Sequence, residues 1–180
     1  MYGIVNRAIQ DLVTESFGEE KWEIIKEKSG IDVDFFISTE PYDDDITYQL
    51  AGAISDEMAM PLHDVLFAFG EWWVLKTAKQ KYGGMMEAGG ANLKEFLVNL
   101  PVFHNRFMMM YPKLSPPEFT ISHQEEKSIW VHYRSKRQGL QDFVKGILSG
   151  LGQMYETPVN IELLQSRSEG SDHEIFKVSW

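Results

Sequence analysis

The spacing of the apolar residues changes once along this chain, and that change limits what the chain can fold into. Up to Tyr111 apolar side chains recur three and four residues apart, whereas beyond Lys113-Leu114-Ser115-Pro116-Pro117 they alternate. The first spacing lines one face of a helix and the second lines one face of a strand. An α+β fold follows, with an N-terminal helical part packed on a C-terminal antiparallel sheet of about four strands crossed by one helix. At 180 residues the chain suits one domain with a sizeable core.

In the helical part, Ile9, Leu12 and Val13 predict a helix over 8–17 stopped by Gly18, and Trp22, Ile24 and Ile25 a second one stopped at Ser29-Gly30. A connector over 32–39 carries Phe35, Phe36 and Ile37. Asp43-Asp44-Asp45 falls at the first turn of the next helix, where the helix dipole favours carboxylates. Three adjacent acids could also hold a divalent cation, although calcium-loop spacing is missing. Pro61 suits the start of a helix bearing Val65, Leu66, Phe69, Trp72 and Trp73 and running toward Ala78, and the glycines around 83–84 and 89–90 read as turns. Leu93 to Leu100 forms a further helix, and Pro101 is expected to open a separate one with Phe103, His104, Phe107, Met108 and Tyr111 on one face. After the linker come a hairpin (118–124 and 128–133), a helix over 139–155, and strands over 159–167 and 173–180.

Composition removes several functions. The absence of cysteine excludes disulfides, thiolate chemistry and cysteine-ligated metals. A net charge of −10 opposes nucleic acid and anionic membrane surfaces. The N-terminus has no basic region followed by an apolar run, and no segment has the length of a membrane span, so a soluble cytoplasmic protein without membrane insertion is expected. Nine methionines and 13% aromatic residues lean toward a roomy, adaptable interior.

Two features carry chemistry. In Val131-His132-Tyr133-Arg134-Ser135-Lys136-Arg137 a phenol, a hydroxyl and a guanidinium occur at every second residue, so in an extended strand they would share a face and suit a carboxylate or phosphate. They could also be a polar strand end facing water. His104 lies within the apolar stripe of Leu97, Leu100, Phe103, Phe107 and Met108; it is either a core histidine bonded to a carbonyl or a ligand. One neutral imidazole, an apolar slot and a separate cluster for carboxylates together match the needs of haem: an axial ligand, a dry pocket and neutralised propionates. His63, His123, His132 and His173 have no mutual metal-ligand spacing.

These residues, in this order, resemble the haem nitric oxide/oxygen-binding (H-NOX) family of stand-alone bacterial type, related to the haem domain of soluble guanylate cyclase. The likeness runs from Met1-Tyr2-Gly3-Ile4-Val5-Asn6 through Phe69-Gly70-Glu71-Trp72-Trp73 and Pro116-Pro117 to Tyr133-x-Ser135-x-Arg137 and Gly170-x-Asp172-His173-x-x-Phe176. It implies haem b (iron protoporphyrin IX) buried between helices and sheet, its iron held by His104, its propionates by Tyr133, Ser135 and Arg137, and its plane distorted by Pro117 with Val5. Met1 and Trp73 would also reach the haem. It further implies a moving helical subdomain over about 1–60 and a haem-bearing one over about 61–180, so the change of spacing near residue 112 marks secondary structure, not a rigid-body boundary.

Oxygen-holding members place a tyrosine on the helix after the Tyr-x-Ser-x-Arg motif. Here that helix has none before Tyr155, and its pocket candidates are Leu140, Phe143, Val144 and Ile147. The expectation is a nitric oxide sensor, also able to bind carbon monoxide, in which nitric oxide weakens the iron–His104 bond and the N-terminal helices shift to regulate a histidine kinase or diguanylate cyclase. The competing readings are an oxygen- or redox-responsive haem sensor, a haem peroxidase-like or hydrolytic enzyme using His104, His132 or His173, and a non-haem module for another hydrophobic carboxylate. Peroxide cleavage needs polar groups over the iron, and the distal helix offers only Asp142.

Overall fold

The computed structural model describes residues 1–113 and 116–180, so Leu114 and Ser115 of the expected rigid linker lie outside the described residues. Helices α1 (Gly3–Phe17), α2 (Glu19–Ser29), α3 (Asp44–Met58) and α4 (Leu62–Trp72) come first. Gly18 (φ 90°) ends α1 and Gly30 (φ 68°) ends α2, both at positive φ that costs glycine little. Asp44 and Asp45 do occupy the first turn of α3. Rather than gathering around a cation, Asp44 accepts from the Met1 ammonium at 2.5 Å.

A π-helical turn, Trp73–Ala78, follows α4 and leads into α5 (Lys79–Glu87). Apolar spacing alone does not reveal this turn, because one extra residue per turn shifts the stripe without ending it. The expected turn at Gly83-Gly84 is corrected: both glycines stay helical, and the break is at Tyr82 (φ −132°, ψ 17°). The Tyr82 ring is held edge-on against Phe107 with centroids 4.9 Å apart, so the backbone bends where its side chain is anchored.

Helix α6 (Leu93–Met109) begins with Asn92 accepting from the Glu95 N–H at 3.0 Å while Glu95 accepts from the Ala91 N–H at 2.9 Å, a reciprocal cap. It runs unbroken through Pro101. The expected separate helix starting at Pro101 is therefore corrected. Proline's fixed φ is compatible with helix, and burial of Phe96, Leu97 and Leu100 on the near side keeps the two halves in line despite the missing N–H.

Strands β1 (Glu118–Ser122), β2 (Ser128–Arg134), β3 (Asn160–Gln165) and β4 (Glu174–Ser179) form an antiparallel sheet in the order β1-β2-β4-β3, with α7 (Gln141–Met154) inserted between β2 and β3. The α+β expectation holds. Val131 pairs with Phe176 and Phe119 with Tyr133. Ile129, Val131, Tyr133, Phe176 and Val178 pack with Leu93, Phe96, Leu97 and Leu100 of α6 and Val144, Leu148 and Leu151 of α7. A second core joins α1 to α4 around Ile9, Val13, Trp22, Ile25, Leu50 and Phe69, and a small third one comprises Tyr2, Ile4 and Tyr111. Among the described residues no helix is long and apolar enough to cross a membrane.

Two glycines set a close contact between helices. Gly70 of α4 and Gly146 of α7 face each other, and a Cβ on either would collide with the Phe143 or Phe67 carbonyl of the opposite helix. This approach brings the α7 wall up to the π-helical turn.

Candidate cofactor-binding site

A cavity opens where α6, α7, the π-helical turn, the chain start and β1–β2 meet, and it is lined almost wholly by apolar side chains. Met1 and Val5 come from the chain start, Trp73, Val74 and Ala78 from the π-helical turn, and Phe103, His104 and Phe107 from α6. Pro116, Pro117 and Phe119 approach from the strand side, and Leu140, Phe143, Val144 and Ile147 form the α7 wall. Tyr133 and Arg137 reach its rim. Of the residues expected from sequence, only Ser135 is off the lining; it stands behind Tyr133 and Arg137.

The His104 ring sits edge-on to Phe119, with centroids 4.9 Å apart. Its Nδ1 is buried and has no hydrogen-bond partner among the described residues. A core histidine would have bonded a carbonyl, and this one does not. Burial lowers its pKa to about 4, so the ring is neutral near pH 7 and its lone pair is not committed to the protein. A neutral, buried imidazole on an apolar cavity fits the demand of a haem iron.

The Tyr133, Ser135, Arg137 group is built differently from the expected strand. β2 ends at Arg134, so the three side chains do not converge by strand alternation. A local turn brings them together: the Arg137 N–H donates to Ser135 Oγ at 3.1 Å, and the Ser135 side chain hydrogen bonds with the Tyr133 phenol. Serine hydroxyls favour such turns because they can bond a backbone N–H two residues on. Burial pushes the Tyr133 phenol above its ordinary range, so it remains a donor.

Several residues of the site were not foreseen. Asp44 Oδ2 lies 2.9 Å from Arg137 Nε, so this carboxylate ties α3 and the N-terminal amine to the rim. Burial alone would raise the Asp44 pKa, but its bonds to the amine and Arg137 outweigh that and hold it low. Arg167 donates from one guanidinium nitrogen to the Ser135 and Arg137 carbonyls, both at 2.7 Å, and so holds the turn from behind. Tyr82 and Tyr111 also line the cavity and hydrogen bond through their hydroxyls. Neither Asp44 nor Arg167 is flagged by spacing, since each acts across long sequence separations. A tyrosine beside a glycine pair was the available signal for Tyr82.

Comparison with known proteins decides the lineage. The sequence matches the haem-NO-binding family over residues 2–163. The chain belongs to this family. Haem-NO-binding (H-NOX) domains bind haem and sense gases such as nitric oxide and carbon monoxide, and the domain is a sensor, not a catalyst. Among curated relatives, soluble guanylate cyclase gcy-31 of Caenorhabditis elegans is 28% identical over 180 residues, covering 99% of this chain and 26% of that protein. Soluble guanylate cyclase gcy-33 of the same organism is 25% identical, covering 94% of this chain and 18% of that protein. The chain thus spans about a quarter or less of these relatives. The fold is that of solved H-NOX structures: an S. oneidensis H-NOX protein in the Fe(II)NO state matches with a TM-score of 0.88 at 20% identity, covering 99% of this chain and 98% of that one. An unliganded Fe(II) H-NOX protein from K. algicida matches at 0.84 and 20%, covering 99% and 96%. At such identity these likenesses speak for the fold alone.

Proposed function

We propose that this H-NOX domain is a nitric oxide sensor that holds haem b through His104. The observation that carries this reading is the neutral His104 imidazole on the wall of an apolar cavity, its buried Nδ1 without a hydrogen-bond partner among the described residues. Tyr133 and Ser135 offer hydroxyl donors and Arg137 a charged fork to the propionates. Pro117 and Val5, on the cavity wall, would press on the ring, and Met1 and Trp73, which line the same cavity, would close its edge. Haem, when bound, would supply an iron able to take nitric oxide, with His104 as the side chain that would hold it.

A His104 no longer held by the cofactor would leave α6 free of it. That freedom would shift the N-terminal helices α1 to α3 (about residues 1–60) relative to the part from about 61, which keeps the cofactor. The ligand shifts a population between two packings because only one of them holds His104 in place. The shifted helical face is read by a separate signalling enzyme, a histidine kinase or a diguanylate cyclase.

The α7 wall favours nitric oxide over dioxygen. Leu140, Phe143, Val144 and Ile147 offer no donor, and bound dioxygen gains most from one. The second reading, an oxygen-responsive sensor, rests on the Tyr82–Tyr111 pair on the cavity wall, in which one hydroxyl donates to the other. Both rings, however, pack on Phe107 of the His104 helix rather than on α7.

Absorption spectra of the reduced haem protein under argon, air and nitric oxide test the choice. The expected outcome is a spectrum unchanged in air and shifted by nitric oxide. A stable oxygen complex in air, abolished by Tyr82→Phe, would favour the second reading. A His104→Gly chain is expected to hold ferrous haem only with added imidazole; retention without it refutes the ligand assignment.

A further inference from the structure

His132 alternates with Tyr133 along β2, so it stands on the sheet face turned away from the cavity. There, side chains of β1, β2 and the segment before β4 form one hydrogen-bonded chain. Asp172 Oδ1 is 2.5 Å from His173 Nδ1, His173 Nε2 is 2.9 Å from His132 Nδ1, and His132 Nε2 is 2.6 Å from Ser122 Oγ. His123 Nδ1 lies 3.0 Å from the same Ser122 oxygen.

The neighbours fix where each proton sits. The bond to His173 holds the Asp172 carboxyl below its ordinary range, so this group only accepts and His173 Nδ1 carries a hydrogen. Arg134, which has only hydrogens to offer, points at His173 Nε2 from 3.3 Å, so that nitrogen presents a lone pair. His132 Nδ1 must then donate to it, which leaves the His132 lone pair on Nε2. Ser122 therefore donates its hydroxyl hydrogen to His132, and its oxygen accepts from His123. Burial first, and then the electrostatics of the neighbouring His173, Arg134 and His123, keep His132 below its ordinary pKa and thus unprotonated near pH 7.

A hydroxyl bonded to a neutral base that is itself oriented by a further group is the arrangement of an activated nucleophile. We propose that Ser122 is a covalent modification site that accepts an acyl group from an activated ester. Ser122 Oγ bonds to the carbonyl carbon as its proton passes to His132 Nε2. The bond from that carbon to the ester oxygen then breaks, and His132 returns the proton to the departing oxygen. One ester and one serine give one acyl-serine and one alcohol. His173, with Asp172 behind it, accepts from His132 throughout and steadies the transient positive charge. Ser122 is half-buried on an open sheet face, so the outcome is one acylation per chain, in keeping with a sensor domain rather than a turnover enzyme.

The test is p-nitrophenyl acetate with the haem-loaded full chain, followed by intact mass and peptide mapping. The expected result is a single acetyl group on Ser122 and a burst of one equivalent of nitrophenolate, both absent in Ser122→Ala. His132→Ala should slow labelling by about 10²-fold, the range of a positioned base. Asp172→Asn should slow it by only a few-fold, because that carboxylate is solvated. Ser128 and Ser149 serve as internal comparators, and haem retention reports folding. Labelling confined to lysines, or Ser122 acetylated no faster than the comparators, would overturn the proposal. So would a rate unaffected by both His132→Ala and Asp172→Asn. If His132→Ala fails to fold, Asp172→Asn and the comparator serines still decide the matter.

Discussion

Asp44 is the residue on which the rim of the cavity turns. Its carboxylate meets the N-terminal amine and Arg137, and its pKa is lowered in the folded chain. A carboxyl depressed on folding stabilises the protein above its unfolded pKa, ~3.9 for aspartate, and loses that contribution as pH falls through the lower folded value. Asp44→Asn is thus expected to lower the denaturant midpoint at pH 7, with the gap to the parent closing below about pH 4. A gap that stays constant down to pH 2 would show that the ion pairs do not matter to folding. Arg167 acts on the same turn from behind. Arg167→Ala should raise the haem dissociation rate roughly tenfold, equivalent to ~1.4 kcal/mol, about one charge-assisted hydrogen bond's worth. Arg167→Lys should not restore it fully, since an ammonium lacks the planar fork. Haem transfer to apomyoglobin measures both.

At the level of elements, the packing of α4 on α7 depends on two facing glycines with no room for a methyl group. Gly70→Ala should cost about 1–3 kcal/mol as the helices are forced apart, and it should loosen the α7 wall along Leu140, Phe143 and Val144. Urea unfolding gives the first effect and carbon monoxide rebinding kinetics the second. The helices, the four strands and the hairpin were legible in the chain because each carries its own apolar repeat and stop signal, as at Gly18 and Gly30. The π-helical turn at Trp73–Ala78, the bend at Tyr82 and the continuity of α6 through Pro101 were not. In each case a packing partner distant in sequence decides the backbone: Phe107 for Tyr82, and the buried faces flanking Pro101. The site shows the same division. His104 could be read from its own helix stripe, but the turn that gathers Tyr133, Ser135 and Arg137 is closed by Asp44 and Arg167 from elsewhere in the chain.

For the whole molecule, Trp73 packs against all three cores and also lines the cavity. A change at the cofactor therefore has a direct route to the α1–α4 core, through one indole edge-on to Phe69 and Phe107. Trp73→Ala should leave haem bound yet uncouple nitric oxide binding from any change in α1–α4, which small-angle scattering with and without nitric oxide would register. Pro101 bears on how that change spreads. With no N–H at 101, the ladder of backbone bonds in α6 has a missing rung, and the eight residues from Val102 to Met109 form a segment that can open by itself. Amide hydrogen exchange should resolve α6 into two groups, with Val102 to Met109 exchanging faster than Leu93 to Leu100. Pro101→Ala should merge them. The helix bearing His104 would then be hinged at a fixed point: its far half can fray and reform while its near half stays part of the core.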